Sequence, residues 1–369
     1  MRKIMILTLA FLLVGVLTAC GDNQKATVPL VVYDMNDDYM QDFTDKILDE
    51  AERETDIELH DSKNSQIIQN EIIEKLIAED PPLIIVNPVD RLGARMIIQK
   101  AKQAEIPLIF INREPLKEDL DLYEHAYYIG ADPVESARLQ AETIIDLFGE
   151  DPGDLTRYDT NDDNVIQTAI LMGQQGHQDA ELRTKHVIRA LEDFGYEIDI
   201  LDIKVANFNR LESEEATTEL IETFGDELEL IISNNDAMAV GAISALVEEG
   251  VIEDSDDDGV IDHSEEPWLP VVGIDGLDIA TELIESGHLY ATVLNDSAEM
   301  AEALVELVKI IEDEDPYGKY SFTIENDTYV WIDYKTFVLE IEEEESDETD
   351  EQDDSTDEHS DGSDDDSEE

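Results

Sequence analysis

Six short apolar runs in this chain of 369 residues end on carboxamide or carboxylate side chains. Tyr33 leads into Asp34-Met35-Asn36-Asp37-Asp38-Tyr39, Val86 into Asn87, Ile111 into Asn112, Ser233 into Asn234-Asn235-Asp236, Ile274 into Asp275, and Leu294 into Asn295. A carboxylate only accepts hydrogen bonds, whereas an amide both donates and accepts. A ring of such groups with aromatics beside it suits a ligand that carries many hydroxyls and one apolar face, which is the chemistry of a sugar. Asn and Asp before a helix are also ordinary caps. Recurrence at six junctions is what favours a ligand over capping alone.

A second chemistry is written in loop spacing. Asp159, Asn161, Asp163 and Gln167 place side-chain oxygens at positions 1, 3, 5 and 9 of a loop, with the Val165 carbonyl at position 7. This is the calcium loop of an EF-hand without its helices. Asn164 stands where the loop needs a sharp turn and tolerates the left-handed conformation there. Residues 254–265 fit the full twelve-residue pattern, with Asp254, Asp256, Asp258, Val260, Asp262 and Glu265 as ligands, Gly259 at position 6 and Ile261 at position 8. One calcium site is expected from the first loop, and the second is a further candidate. An acid-rich chain also produces Asp-rich stretches by chance.

The elements that must position these groups are legible in the hydrophobic pattern. Residues 28–33, 82–86, 108–111, 168–172, 229–233 and 269–274 are short β-branched runs that read as buried strands. Between them, residues 40–54, 66–78, 92–104, 136–147, 179–194 and 237–249 carry apolar residues at helical spacing. Such alternation predicts an α/β fold of parallel sheets flanked by helices, and this many units need two sheets. In these folds ligands sit beyond the carboxyl ends of strands, where the polar residues above fall.

Charge excludes one class of partner. Asp and Glu number 94 against 23 Lys and Arg, a formal net charge of −71. A polyanion would be repelled, so no nucleic-acid partner is expected. Residues 342–369 hold 18 acids, no Lys or Arg and no apolar residue, and are expected to be a disordered acidic tail. Residues 21–341 still carry 76 acids against 21 bases, which points to a salt-rich, halophilic habitat with calcium neutralising part of the excess.

At the start, Arg2 and Lys3 precede an apolar run over residues 4–16 that suits a signal peptide and is short for a membrane span. Leu17-Thr18-Ala19-Cys20 resembles a bacterial lipobox, which implies removal of residues 1–19 and lipidation of Cys20, the chain's one cysteine. Residues 20–26 then form a lipidated linker. Two acyl chains suffice for stable anchoring. The expected location is the extracytoplasmic face of the cell membrane.

Several segments together are similar to the galactose/glucose-binding proteins of bacterial transport systems, which have the type I periplasmic-binding-protein fold. These are YDMNDDYM at 33–40, NREP at 112–115, AYYIG at 126–130, GHQDAELR at 176–183, NNDAM at 234–238 and TVLND at 292–296. The resemblance covers residues 27–341. It implies two Rossmann-like lobes joined by a multi-strand hinge, residues 27–111 plus 295–328 forming one and 112–294 plus 329–341, with both calcium loops, the other. Carried over by motif, the sugar ligands are Asp37, Asn87, His177, Asp179, Arg183, Asn235, Asp275 and Asn295. Tyr39 stands where such proteins have phenylalanine and Phe208 where they have tryptophan, the two rings that stack on the pyranose. Glu229 is the distant glutamate that completes the first calcium shell. Arg183, four residues after Asp179, would share its helix face and hold that carboxylate.

The implied function is a monomeric, lipid-anchored receptor that closes on glucose or galactose and delivers it to an ABC permease. A chemoreceptor is a further partner open to such a protein. A binding protein for ribose or another small ligand is the alternative. A glycoside-processing enzyme is a more distant one, since the carboxylates are more simply hydroxyl acceptors. A DNA-binding regulator of the same fold is disfavoured by the export signal and the acidity.

Overall fold

The structure is a computed structural model that describes residues 27–339, apart from Arg53, Asp257, Ser264, Glu265 and residues 313–318. The expected signal peptide, Cys20 and the acidic tail lie outside the described residues.

The first sheet is built from β1 (Thr27–Val32), β2 (Asp56–Asp61), β3 (Ile84–Val86), β4 (Leu108–Ile111) and β5 (Ala126–Gly130), connected by α1 (Asp38–Ala51), α2 (Gln66–Glu79), α3 (Ala94–Ala104) and the short α4 (Lys117–Leu120). After α5 (Pro133–Phe148), a second set alternates β6 (Val165–Met172), α6 (Gln178–Phe194), β7 (Glu197–Val205), α7 (Arg210–Phe224), β8 (Leu230–Ser233), α8 (Asp236–Glu248), β9 (Val271–Asp275), α9 (Asp278–Glu285) and β10 (Ala291–Leu294). The chain closes with α10 (Ser297–Ile311), β11 (Tyr329–Trp331) and β12 (Lys335–Val338).

Two six-stranded sheets result, ordered β11-β5-β4-β3-β1-β2 and β12-β10-β9-β8-β6-β7. All pairings are parallel except β10 with β12. Helices cover both faces, so the central strands are buried throughout: β3, β4 and β8 expose no residue. The edge strands β2 and β7 alternate instead, with the charged residues in the first half of each turned outward.

Three crossings join the lobes, and two fall later than the sequence suggested. β5 pairs with β4 in the first sheet, and β11 pairs with β5. The first lobe therefore runs through Gly130 rather than ending at Ile111, and regains residues 329–331 that had been placed in the second. The cause is local. Asn112 takes a left-handed φ of 60°, turning the chain at the end of β4, and residues 112–125 make a short crossover back to the same sheet. The second crossing follows β10, after which α10 packs on α1. The third runs from β11 to β12. Near it the Trp331 ring stacks on Tyr329 with centroids 5.4 Å apart and planes 6° from parallel.

Candidate functional site

The carboxyl ends of both sheets face one cleft. Asp37, Tyr39, His177, Asp179, Arg183, Phe208, Asn235, Asp275 and Asn295 line a single pocket there, with Tyr33, Met40, Asn112 and Arg113. Its free volume is about 40 Å³, room for a water or so and too little for a pyranose. The lobes must part somewhat to seat a sugar.

Several of these residues are cap and site lining at once. Asp37 accepts from the Met40 N–H with one oxygen (2.9 Å) and from the Tyr33 hydroxyl with the other. Asn235 Oδ1 caps α8 through the Met238 N–H at 3.0 Å. His177 Nδ1 accepts from the Asp179 N–H at 3.2 Å, which leaves the ring proton on Nε2. Burial, then Arg113, Arg183 and Arg91, hold the His177 pKa well below its ordinary value. The imidazole is a neutral donor rather than a cation.

Arg183 is only 4% exposed and departs from expectation in its partners. Its guanidinium donates to the Asn234 carbonyl (2.8 Å) and the Tyr334 hydroxyl (3.1 Å) and stands 4.0 Å from Asp275. Asp179 is within electrostatic reach but is not its bonded partner; the guanidinium's hydrogen bonds go instead to the Asn234 carbonyl, just after β8, and to Tyr334. Burial alone would lower the Arg183 pKa, but Tyr334, Asp275 and Asp179 raise it above the ordinary value. Burial pushes Asp37, Asp179 and Asp275 up, while Arg183 opposes the shift at Asp179 and Asp275 and the Tyr33 hydrogen bond opposes it at Asp37.

Asn87 is not at the pocket wall. It is fully buried, its Oδ1 accepting from the Tyr33 N–H and its Nδ2 donating to the Ile111 carbonyl and Asn112 Oδ1. It ties the ends of β1, β3 and β4 together, and Asn112 stands at the pocket in its place. Backbone strain gathers at this pocket: Asn112, Phe208 and Asp275 have φ of 60°, 59° and 137°. Phe208 lies against Gly173, where any Cβ would sit 2.1 Å from the ring, and meets His177 edge-on at 5.2 Å. The sequence reading missed Arg113, whose guanidinium lies 3.5 Å over the Tyr33 ring, and Tyr334, which reaches the site from the final crossing. The position of Arg113 just after a strand could have marked it. Tyr334 carries no local signal.

Two loops in the second lobe fold alike. In the first, Asp159 accepts from the N–H groups of Asp163 and Asn164, Asn161 from Asp163, and Asp163 from Val165. Glu229, only 2% exposed, accepts from the N–H groups of Thr160 (2.7 Å) and Gln167 (3.2 Å). In the second loop, Asp254 accepts from Asp258 and Gly259, Asp256 from Asp258, and Asp258 from Val260. Here Glu266 accepts from the N–H groups of Ser255 and Asp262, at the loop positions that Glu229 serves in the first. Oxygens of Asp254, Asp256 and Glu266 lie within 4.8 Å of one another. Glu265 lies outside the described residues. Trp268 sits between the loops, its ring centroid 5.5 Å from that of Tyr158 and 4.0 Å from that of His263.

A family model described as a periplasmic binding protein domain matches residues 28–314. The chain belongs to the periplasmic binding protein family. This binding protein is 34% identical over 283 residues to the D-galactose/methyl-galactoside binding periplasmic protein of Haemophilus influenzae, covering 76% of this chain and 80% of that one. Among solved structures, an ABC transporter solute binding protein from Bacillus halodurans with bound myo-inositol overlays it with a TM-score of 0.67 at 24% identity, covering 86% of this chain and 96% of that one. The arabinose transporter component of Shewanella sp. ANA-3, bound to L-arabinofuranose, reaches 0.69 at 20% identity over 85% of this chain and 92% of that one. Both likenesses speak to fold alone. Among the described residues no helix is long and apolar enough to cross a membrane.

Proposed function

We propose that this binding protein captures a hexose, glucose or galactose, between its lobes and presents it to an ABC permease. The observation that carries the reading is a pair of orphaned polar atoms. Arg183 Nε and Asn295 Oδ1 are buried at the pocket with no hydrogen-bond partner among the described residues. An unmet donor and acceptor there are the needs that sugar hydroxyls satisfy. Tyr39 from one lobe and Phe208 from the other supply the apolar faces, and three carboxylates stand ready as charged acceptors. The galactose-binding name of the Haemophilus relative favours a hexose over ribose or inositol. The protein is a transport component and not an enzyme. Calorimetric titration with glucose, galactose, ribose and myo-inositol tests this: a hexose is expected to bind tightest at one per chain, and Asp275→Ala to weaken it at least a hundredfold. If neither hexose binds while another ligand does, the assignment falls.

The same reading includes calcium. The donors of the first loop suit the ion: Gln167 Oε1, at position 9, is buried and unpartnered among the described residues. Asp159, Asn161, Asp163, the Val165 carbonyl, Gln167 and Glu229 would hold it. Bound there, calcium would neutralise acids and pin the start of β6 to Glu229. The matching hydrogen bonds support a second site of Asp254, Asp256, Asp258, the Val260 carbonyl and Asp262, closed by Glu266 rather than Glu265. Chelated protein should take up two calcium ions, Glu229→Gln one, and Glu266→Gln one, with Glu265→Gln unchanged. Loss of an ion on Glu265→Gln alone would return that role to Glu265. Lipidation at Cys20 would hold the monomer at the outer face of the membrane, where a chemoreceptor could read the same closed form.

A further inference from the structure

Outward from the hexose pocket the cleft opens into a second cavity of about 310 Å³, bounded by the loops that follow β3, β4 and β6. Arg113, His177 and Asp179 line both spaces, so the two adjoin across these side chains. This volume persists although the lobes already touch: Gln178 Nε2 donates across the cleft to Glu114 at 3.1 Å, and Arg210 stands 3.8 Å from Asp38 on another side. Closure on a single ring therefore does not abolish the outer space. Parting the lobes to admit that ring can only enlarge it.

The outer cavity is built for hydroxyls. Arg91 and Arg113 offer donors, Asp90 and Glu114 acceptors, and Gln174 and Gln178 both. Gln178 Oε1 is buried with no partner among the described residues, an acceptor left open at its wall. Arg113 is 6% exposed, and no described carboxylate comes within the 4.0 Å of an ion pair, in a chain with 94 acids. Among the described residues its donors meet only the Val89 carbonyl. The two guanidiniums face Asp90, Glu114 and Asp179, so the lining does not favour an anion. Leu92, 62% exposed, marks where the cavity meets solvent.

We propose that this cavity is a subsite for a second, neutral polyhydroxyl unit, so that the protein accepts hexosides such as disaccharides and hexosyl polyols as well as the free sugar. The proposal rests on the hexose reading above. A volume of this size lies at the lower end of small-molecule sites, enough for one further sugar ring. A hexose in the inner pocket would project its substituent past His177 and Asp179. The outer unit would then meet Arg113, Arg91 and Gln178.

Calorimetry on the full chain with calcium present distinguishes the outcomes, using glucose, galactose, lactose, melibiose, maltose and cellobiose. At least one disaccharide is expected to bind one per chain, within about tenfold of its parent hexose, and to compete with it. Arg91→Met, which keeps the stem and removes the donors, should weaken that disaccharide at least tenfold and the free hexose less than threefold. Val89→Phe, which fills the cavity, should exclude the disaccharide and spare the hexose. If hexose binds and every disaccharide is a hundredfold weaker or more, the subsite is wrong and the hexose reading stands. Equal weakening of both ligands by both variants also overturns the subsite. If neither hexose nor disaccharide binds, both readings fall together.

Discussion

At the scale of single residues, the site is a set of side chains that serve the backbone and line the pocket at the same time. Asp37, His177 and Asn235 each cap a helix while lining the cleft, and the second Asp37 oxygen is held by the Tyr33 hydroxyl. That double use explains why cap and pocket lining could not be separated in the sequence: here they are the same residues. Asn87 shows the limit, because the same signal, an asparagine after a strand, marks a buried clasp between strands. Asp236 belongs to this scale too. It accepts from Thr292 and from the N–H groups of Gly276 and Leu277, which fixes the turn that carries Asp275. Burial pushes its pKa up from 3.8 to about 6 against those hydrogen bonds. A carboxyl raised in the folded state binds its proton more tightly there than in the unfolded chain, so stability gains as pH falls through about 6 and levels off below 3.8. Asp37, Asp179 and Asp275 shift in the same direction. Thermal melts from pH 7 to 5 should show a rise on the order of 1 kcal/mol from Asp236. Asp236→Asn should flatten that part of the profile, and a rise of unchanged size in the variant would remove Asp236 as its source.

At the scale of elements, strands buried on both faces announced themselves as β-branched runs, and the helices between them as periodic stripes. The edge strands did not. β2 reads DIELHD and β7 reads EIDILDIKV, alternating patterns rich in charge that an acidic chain also produces in loops. β5 and β11 were misassigned for another reason: which sheet a strand joins is a property of the crossover, not of its composition. One contact sets the spacing of the second lobe's helices. At Gly241 in α8, a Cβ would stand 2.2 Å from the Arg210 carbonyl oxygen at the start of α7, so only glycine allows this approach. Gly241→Val should cost about 1–3 kcal/mol through overpacking. Each of these lowers Tm by about 2–4 °C in a chain of this size. A differential scanning measurement with unchanged Tm would show that α7 can move aside freely.

At the scale of the whole molecule, the formal charge of −71 no longer reads as one property. Some of the acids cap helices, some face the sugar pocket, and some gather in the two loops proposed for calcium. What remains is a surface excess that few bases offset. Self-repulsion of this kind is long-ranged at low ionic strength and shrinks as the Debye length falls from about 10 Å at 0.1 M salt to about 3 Å at 1 M. Raising NaCl from 0.1 to 2 M should therefore raise Tm, and should do so in chelated as well as calcium-loaded protein. A Tm indifferent to salt would detach the acidity from habitat. Chelation should still lower Tm in 2 M salt, since a specific ion neutralises charge that a diffuse atmosphere reaches poorly.

The chain has two tryptophans, and the fold has dealt one to each end of the working cycle. Trp268 lies between the two acidic loops, and Trp331 lies stacked beside the last crossing between lobes. Each is therefore suited to report on a different event: Trp268 on the metal uptake proposed above, Trp331 on movement at the last crossing. With either indole replaced by phenylalanine, emission from the other would follow one event alone, so the order of metal uptake and sugar capture could be timed in unlabelled protein.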